Sequence, residues 1–390
     1  MKEVTPKLLI GAMSHWYLGH TAREFEKLGA LTGYWVSNSS RSGVSPEKYK
    51  RIWDYHLAQK LFYSMPFKHL EENMRWINLP FYDRWIRRQK IPADTNIVQA
   101  PMGSCEALFN LAESSGRKIL KVFDAPNSHP NTLHGYWQRE CDIFLPGYRV
   151  PMCLAVRKKI VRELERADLV LCPSDFVRDK MVENGVPLEK CFISHFGVDT
   201  SVFKPRETLP AVPTFVCIGI LSLRKGQQYL FPAMERVREK LPNARLICVG
   251  GLRPDFEKEM RRWEGRFEYH VRMSHPEISE LLRSSTAFVL PSVEEGFARV
   301  LSEAMACALP IIATYETGAK TVVRDQIEGL IVPSRDPERL AEAMIRVSLD
   351  TAENTRMGEN ARRAAGVSNT WTDYALRLYN EYALRYAMLQ

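Results

Sequence analysis

The sequence predicts an α/β protein of two doubly wound, Rossmann-like domains facing across a cleft. Three observations predict it. Short apolar runs alternate with helical patterns through most of the 390 residues, as in a mostly parallel sheet covered on both faces. The alternation restarts near residue 214. Between the halves lies a stretch of low periodicity, 197–213, carrying Pro205, Pro210 and Pro213, which reads as a linker. The expected organisation is a first domain over 1–196, the linker, a second domain over 214–370, and a tail helix over 371–390 that packs back on the first domain.

In the first half, strands are expected at 7–11, 96–100, 118–123, 169–172 and 191–194, each a short apolar run. Helical spacing fits 21–28, 105–114 and 156–166. In the second half, strands are expected at 215–218, 245–249, 267–270, 287–290, 310–313 and 330–332, with helices at 228–240 and 277–283. Ligands of open parallel sheets bind beyond the carboxyl ends of the strands, so the loops following these runs carry the candidate site residues.

Composition narrows the class. Hydrophobic content of 45% and charged content of 26% are ordinary for a globular chain. No apolar run approaches the roughly 20 residues of a membrane span, and the first residues lack a signal-peptide core. A cytoplasmic protein is therefore expected, peripheral at the inner face of the membrane if it binds lipid at all. None of the eight cysteines lies in a Cys-x-x-Cys pair, and reduced, buried thiols are expected. The net charge of +8 is partly local: residues 46–91 hold ten Lys/Arg against five Asp/Glu, mixed with ten aromatics. That mixture suits an anionic membrane surface, or else a helical insertion with solvated charges and core aromatics; nucleic acid is the least favoured partner.

The strongest motif is Glu295-Gly296-Phe297-Ala298-Arg299-Val300-Leu301-Ser302-Glu303. A buried strand leading through a glycine loop into a helix presents backbone N–H groups at a helix start, a geometry that holds phosphate. A loop carboxylate and a helix carboxylate could then hold two further groups of one elongated ligand, such as a nucleotide diphosphate sugar. The alternative for Glu295 and Glu303 is acids that only favour a helix start or face solvent. Arg224-Lys225-Gly226 sits in a strand-to-helix loop of the same half, where a lysine can meet a diphosphate. In the first half, Asp124 and His129 follow a strand; His129 could bind a hydroxyl or act as acid or base, or be a turn residue. The loop with His15 and Gly19 could admit a phosphate or sugar to the backbone. Gly-x-Gly-x-x-Gly is absent, which disfavours a dinucleotide dehydrogenase; so are Asp-x-Asp, zinc spacings, a Walker loop and Gly-x-Ser-x-Gly.

Together these segments resemble the retaining nucleotide-sugar glycosyltransferases of glycosyltransferase family 4, with the GT-B fold. The likeness runs in order from Ala167–Phe176 through Gly185–Pro187 and Phe196–Phe203, Gly219 with Arg224–Gly226, His270–Leu282, and Pro291–Ala306, to Pro310–Ala313 and Gly329–Pro333. The resemblance implies that Glu295 meets the donor sugar while Gly296, Phe297, Ala298 and Val300 surround sugar and phosphate. It implies that Glu303 binds the ribose hydroxyls, that Lys225 holds the diphosphate beside Arg224 and Gly219, and that the base lies against backbone near His270–Arg272. It implies no bound metal and no cofactor beyond the nucleotide sugar, with a sugar or lipid-linked acceptor as second substrate. The chain departs from the family at Ile220, where an Arg is usual, at Ala298 and Ala308, where Gly is usual, and near Asp124, where an active-site His is usual. His129 is the expected substitute. A GT-B protein that binds nucleotide sugar without turnover is the competing reading.

Overall fold

The computed structural model describes residues 5–13, 17–37, 42–52, 79–366 and 369–390. The first domain runs β1 (Leu8–Ala12), α1 (Leu18–Lys27), β2 (Leu31–Val36), β3 (Tyr49–Arg51), α2 (Leu79–Arg87), β4 (Ile97–Pro101), α3 (Cys105–Ser114), β5 (Leu120–Asp124), α4 (Pro130–Phe144), α5 (Leu154–Arg166), β6 (Leu169–Cys172), α6 (Asp175–Glu183) and β7 (Cys191–Ile193). Its strands form one sheet in the order β3-β2-β1-β4-β5-β6-β7. The second domain runs β8 (Thr214–Ile218), α7 (Gln227–Lys240), β9 (Arg245–Val249), α8 (Glu257–Arg262), β10 (Glu268–His270), α9 (His275–Arg283), β11 (Ala287–Leu290), α10 (Arg299–Ala306), β12 (Ile311–Thr314), β13 (Gly329–Val332), α11 (Pro337–Leu349) and α12 (Thr351–Gly366). Its order is β10-β9-β8-β11-β12-β13. All pairings of named strands are parallel, and β1, β4, β6, β11, β12 and β13 are buried at every residue, hence the continuous apolar runs.

Several helix starts follow from local chemistry. Ser274 and Glu277 form a capping box at α9, and Pro276 occupies its first turn. At α11 the Asp336 carboxylate takes the N–H groups of Glu338 and Arg339, with Pro337 at the first position. The tail forms α13 (Trp371–Leu389), started by the Thr370/Asp373 capping box. This helix returns to the first domain. Tyr382 is fully buried and donates to Gln99 Oε1 at 2.9 Å, Thr372 donates to Glu24 at 3.0 Å, and the Phe25 and Tyr382 rings lie 5.8 Å apart.

Two features of the first domain bear on the site. In the first, Glu163 of α5 lies at the start of α3 and takes the backbone N–H groups of Gly103, Cys105 and Glu106 at 2.7, 3.1 and 3.1 Å, with Lys159 as its ion-pair partner. In the second, α4 packs its apolar side into the core of the second domain, where Trp137 and Cys141 join Phe231, Phe256 and Leu223. Glu140 of α4 is fully buried and takes hydrogen bonds from Gln228, Tyr229 and Arg335 at 3.1, 2.7 and 2.6 Å. Trp137 Nε1 donates to Asp255 at 2.7 Å. The sequence reading missed α4 because Asn131, His134 and Gly135 interrupt its helical period.

Within the basic segment, α2 splits its residues by face. Tyr82 and Ile86 are buried and Trp85 meets Trp35 edge-on at 5.9 Å, whereas Phe81, Arg84, Arg87 and Arg88 are exposed. Trp53, Phe62 and Trp76 lie outside the described residues. None of the eight cysteines is in a disulfide; Cys153 is exposed and Cys191 half-buried. No helix among the described residues is long and apolar enough to cross a membrane.

Ala308 adopts φ +60°, a left-handed backbone that costs a residue with a Cβ about 1 kcal/mol or more. Gly relieves that strain and gives part of it back as unfolded-state entropy. Ala308→Gly should therefore stabilise the chain by up to about 1 kcal/mol in urea unfolding; a lower midpoint would refute the strain.

Candidate active site

Strand order brings the two central motifs together. β8 and β11 are neighbours at the centre of the second sheet although 68 residues separate Ile218 from Ala287. The loops leaving their carboxyl ends are therefore adjacent, at the switch point where ligands of such sheets bind. Val293 N–H donates to the Arg224 carbonyl at 3.0 Å and joins the two loops directly. Gly226 has φ +76°, and a Cβ there would stand 1.9 Å from the Pro291 carbonyl oxygen. Only glycine allows this approach, which delivers Lys225 into an ion pair with Glu295. The Glu295 backbone is held from its other side, N–H to the Glu316 carbonyl at 3.0 Å and C=O to the Gly318 N–H at 3.1 Å.

A cavity of about 550 Å³ opens above these loops and between the domains. Arg224, Lys225, Glu295, Arg299 and Glu303 line it from the second domain, together with Gly219, Phe297, Ala298 and Val300. Ala298, at φ −78°, precedes α10, whose first N–H groups have no side-chain cap. An anion could take that vacant position. Burial and the Arg224 guanidinium push the Lys225 ammonium well below its usual range; the Glu294 carboxylate opposes them, and the ion pair with Glu295 favours the charged form. Burial raises the Glu303 carboxyl, against the pull of Arg299 and His275. Glu303 accepts no hydrogen bond from a described residue, nor does the Arg299 guanidinium donate one. Both are thus open to a ligand's hydroxyl or anionic groups.

The first-domain wall is mostly apolar: Tyr17, Pro126, Leu133, Trp137, Met152 and Phe196, with Asn127 as a polar exception. The Tyr17 hydroxyl is turned back, donating to Asp124 at 2.7 Å. Asp124 also accepts from Gln99 at 2.7 Å, and burial pushes its carboxyl up to about 6.

The structure corrects several first-domain expectations. His129 does not reach the cavity. It caps α4 and accepts the Asn131 N–H on Nδ1 at 3.3 Å, because Pro130 starts a helix directly after it. Asp124 lies behind Tyr17 rather than on the cavity wall. Gly19 belongs to the first turn of α1 and is buried, since the helix begins three residues earlier than expected. His15 lies outside the described residues. In the second domain, His270 ends the edge strand β10 and Arg272 is exposed beyond it; neither lines the cavity, and His275 and Ile278 of α9 do. Gly296 serves the domain contact: a Cβ there would stand 2.1 Å from the Pro126 carbonyl oxygen. Ile220 does line the cavity, and Arg224 brings the charge that Ile220 lacks. The reading from sequence missed Tyr17, Trp137, Arg253, His275 and Arg299. Arg299 alone carried a local signal, lying one helical turn before Glu303 on the same face.

Two measurements follow. Gly226→Ala combines a left-handed backbone with a clash, and should cost several kcal/mol of stability and the Lys225 geometry with it; near-wild-type unfolding would refute the tight approach. Burial lowers the His129 imidazole to about 4, below the roughly 6.5 of an unfolded chain. Its neutral form thus contributes stability that is complete above pH 6.5 and lost as pH falls towards 4. His129→Asn keeps a capping acceptor and removes the titration, so urea midpoints of the variant should fall less than wild type between pH 6.5 and 4. Parallel curves would refute this.

Comparison with known proteins agrees with this architecture. Residues 203–364 match the sequence model of the family described as Glycosyl transferases group 1. The putative colanic acid biosynthesis glycosyltransferase WcaL of Escherichia coli K12 is 29% identical over 212 residues, 50% of this chain and 52% of that protein. A D-inositol 3-phosphate glycosyltransferase of Xylanimonas cellulosilytica is 27% identical over 222 residues, 51% and 52% of the two chains. The match therefore spans about half the length of these curated relatives. Among solved structures, sucrose-phosphate synthase from Thermosynechococcus elongatus has a TM-score of 0.77 at 18% identity, covering 99% of this chain and 100% of that one. Anabaena HepE in complex with UDP-glucose has a TM-score of 0.69 at 15% identity, covering 98% and 100%. At such identities the structures speak for the fold. Residues 203–364 are thus similar to the group 1 glycosyl transferases, and the two domains together have the GT-B fold.

Proposed function

We propose that the chain is a retaining glycosyltransferase moving a sugar from a nucleotide-diphosphate sugar to an acceptor hydroxyl, in polysaccharide or glycolipid synthesis. One observation carries the reading: a single cavity holds the Lys225–Glu295 pair, the uncapped start of α10 and the unbonded Glu303 carboxylate. The spacing suits three parts of one donor. Arg224, Lys225 and the α10 amides would meet the diphosphate, Glu303 the ribose hydroxyls, and Glu295 the sugar. HepE crystallised with UDP-glucose on the same fold supports a donor of this class.

In the transfer, the bond between the sugar's anomeric carbon and the diphosphate oxygen breaks as the acceptor oxygen bonds to that carbon from the same face. The acceptor proton leaves with the departing diphosphate. Lys225 and the helix start stabilise the negative charge growing on that leaving group, an electrostatic role that strengthens in a water-poor site. No metal is needed for this neutralisation. The acceptor would enter along the apolar first-domain wall. The exposed Phe81, Arg84 and Arg87 of α2, with Arg88 just beyond it, would rest on an anionic membrane at the cytoplasmic face and bring a lipid-linked acceptor near.

Release of nucleoside diphosphate from UDP-, GDP- and ADP-sugars tests the reaction. Lys225→Ala should lower turnover about 100-fold or more, and Glu303→Ala should weaken nucleotide binding about tenfold. A nucleotide at about 100 times its dissociation constant should stabilise the wild type by roughly 2.7 kcal/mol in thermal unfolding. Absence of any nucleotide shift together with absence of turnover would overturn the donor reading. A shift without turnover would favour a binding protein instead.

A further inference from the structure

Arg224 owes its place in the cavity to Glu294. The Arg224 Nη1 donates both to the Glu294 carbonyl and to its carboxylate, each at 2.8 Å, so one residue grips the guanidinium from two sides. The Glu294 side chain is completely buried. Its second oxygen accepts from the first domain, from the Ser128 hydroxyl at 2.7 Å and the Ser128 N–H at 3.2 Å. Ser128 is itself fully buried, in the loop between β5 and α4. A chain of contacts thus crosses the domain boundary, from Ser128 through Glu294 to Arg224.

Two neighbouring contacts cross at the same loop: the Ser174 hydroxyl donates to the Gly296 carbonyl at 2.6 Å, and the Pro126 backbone fills the space beside Gly296. The first domain therefore holds the loop that bears Glu294 and Glu295. An arginine has many rotamers, and anchoring one before a ligand arrives removes an entropic cost of binding. Ile220 supplies no charge, so the cations that this loop itself brings to the cavity are Arg224 and Lys225, with Arg253 and Arg299 lining it from neighbouring segments.

We propose that Glu294 is a positioning residue for the diphosphate subsite: it presents Arg224 to the ligand, and it does so only while Ser128 of the first domain holds its other oxygen. The inference rests on the donor reading above. The carboxylate chemistry is specific. Glutamate offers acceptor oxygens to the Ser128 N–H and to Arg224 at once, whereas glutamine offers one oxygen and must leave one of these two donors unserved.

The test uses the full chain and its Glu294→Gln, Ser128→Ala and Arg224→Ala variants, with UDP, GDP and ADP as probes in calorimetry. Glu294→Gln should weaken binding about tenfold. Arg224→Ala should then add little in the Glu294→Gln background, because its guanidinium is already misplaced. Ser128→Ala should act in the same direction and more weakly. The proposal is overturned if Arg224→Ala costs the same factor in both backgrounds, or if Glu294→Gln tightens binding by removing a competitor for Arg224. If the wild type binds none of the three nucleotides, the donor reading fails, and thermal unfolding decides this one. Midpoint shifts of Ser128→Ala and Arg224→Ala should be non-additive with Glu294 present and additive in Glu294→Gln. Additivity in both backgrounds would overturn it.

Discussion

The parallel pairing of β8 with β11 is the constraint on which the site depends. Each strand ends in a loop with a distinct task, one cationic at Arg224-Lys225 and one acidic at Glu294-Glu295, and only their adjacency lets opposite charges meet. Gly226 and Gly296 allow the loops to approach their neighbours without a Cβ in the way. Once the loops are joined by the Val293–Arg224 backbone bond, side-chain positions follow from short tethers rather than from long flexible reach. A pair of buried ions is expensive to desolvate and contributes little net stability. Its presence here suits a cluster that serves ligand binding, since an arriving anion would find its cations already gathered.

The two sheets are separate in hydrogen bonding but not in packing. α4 belongs to the first domain by chain order, yet Trp137, Glu140 and Cys141 pack and bond with the second. Any relative movement of the sheets must therefore bend the stretches on both sides of α4, 125–129 and 145–153, or break buried polar contacts that would have no water to replace them.

Much of this was legible in the sequence because parallel strands buried on both faces leave continuous apolar runs, and these located β1, β4–β6, β8, β9 and β11–β13 to within a residue or two. The motif from Glu295 to Glu303 was legible because its residues act within one loop and one helix. β2 was not, since Gly33 interrupts the run, and β3 has only three residues on the sheet edge. The first-domain wall resisted for a different reason. Tyr17 and Trp137 reach the cavity through tertiary placement, and no spacing along the chain encodes which face of α4 meets the second domain. His129 looked like a cleft residue because it follows a strand; the same position is where a helix needs a cap, and Pro130 decides for the cap.

Each domain has a helix start at its switch point, after β4 in one and after β11 in the other. After β4, Glu163 already occupies it and takes three backbone N–H groups of the kind a phosphate would use. After β11 no side chain does. Of these two helix starts, only the one after β11 leaves its N–H groups to an anionic ligand. A molecule charged at one end and neutral at the other would be given a direction across the cleft by this asymmetry alone.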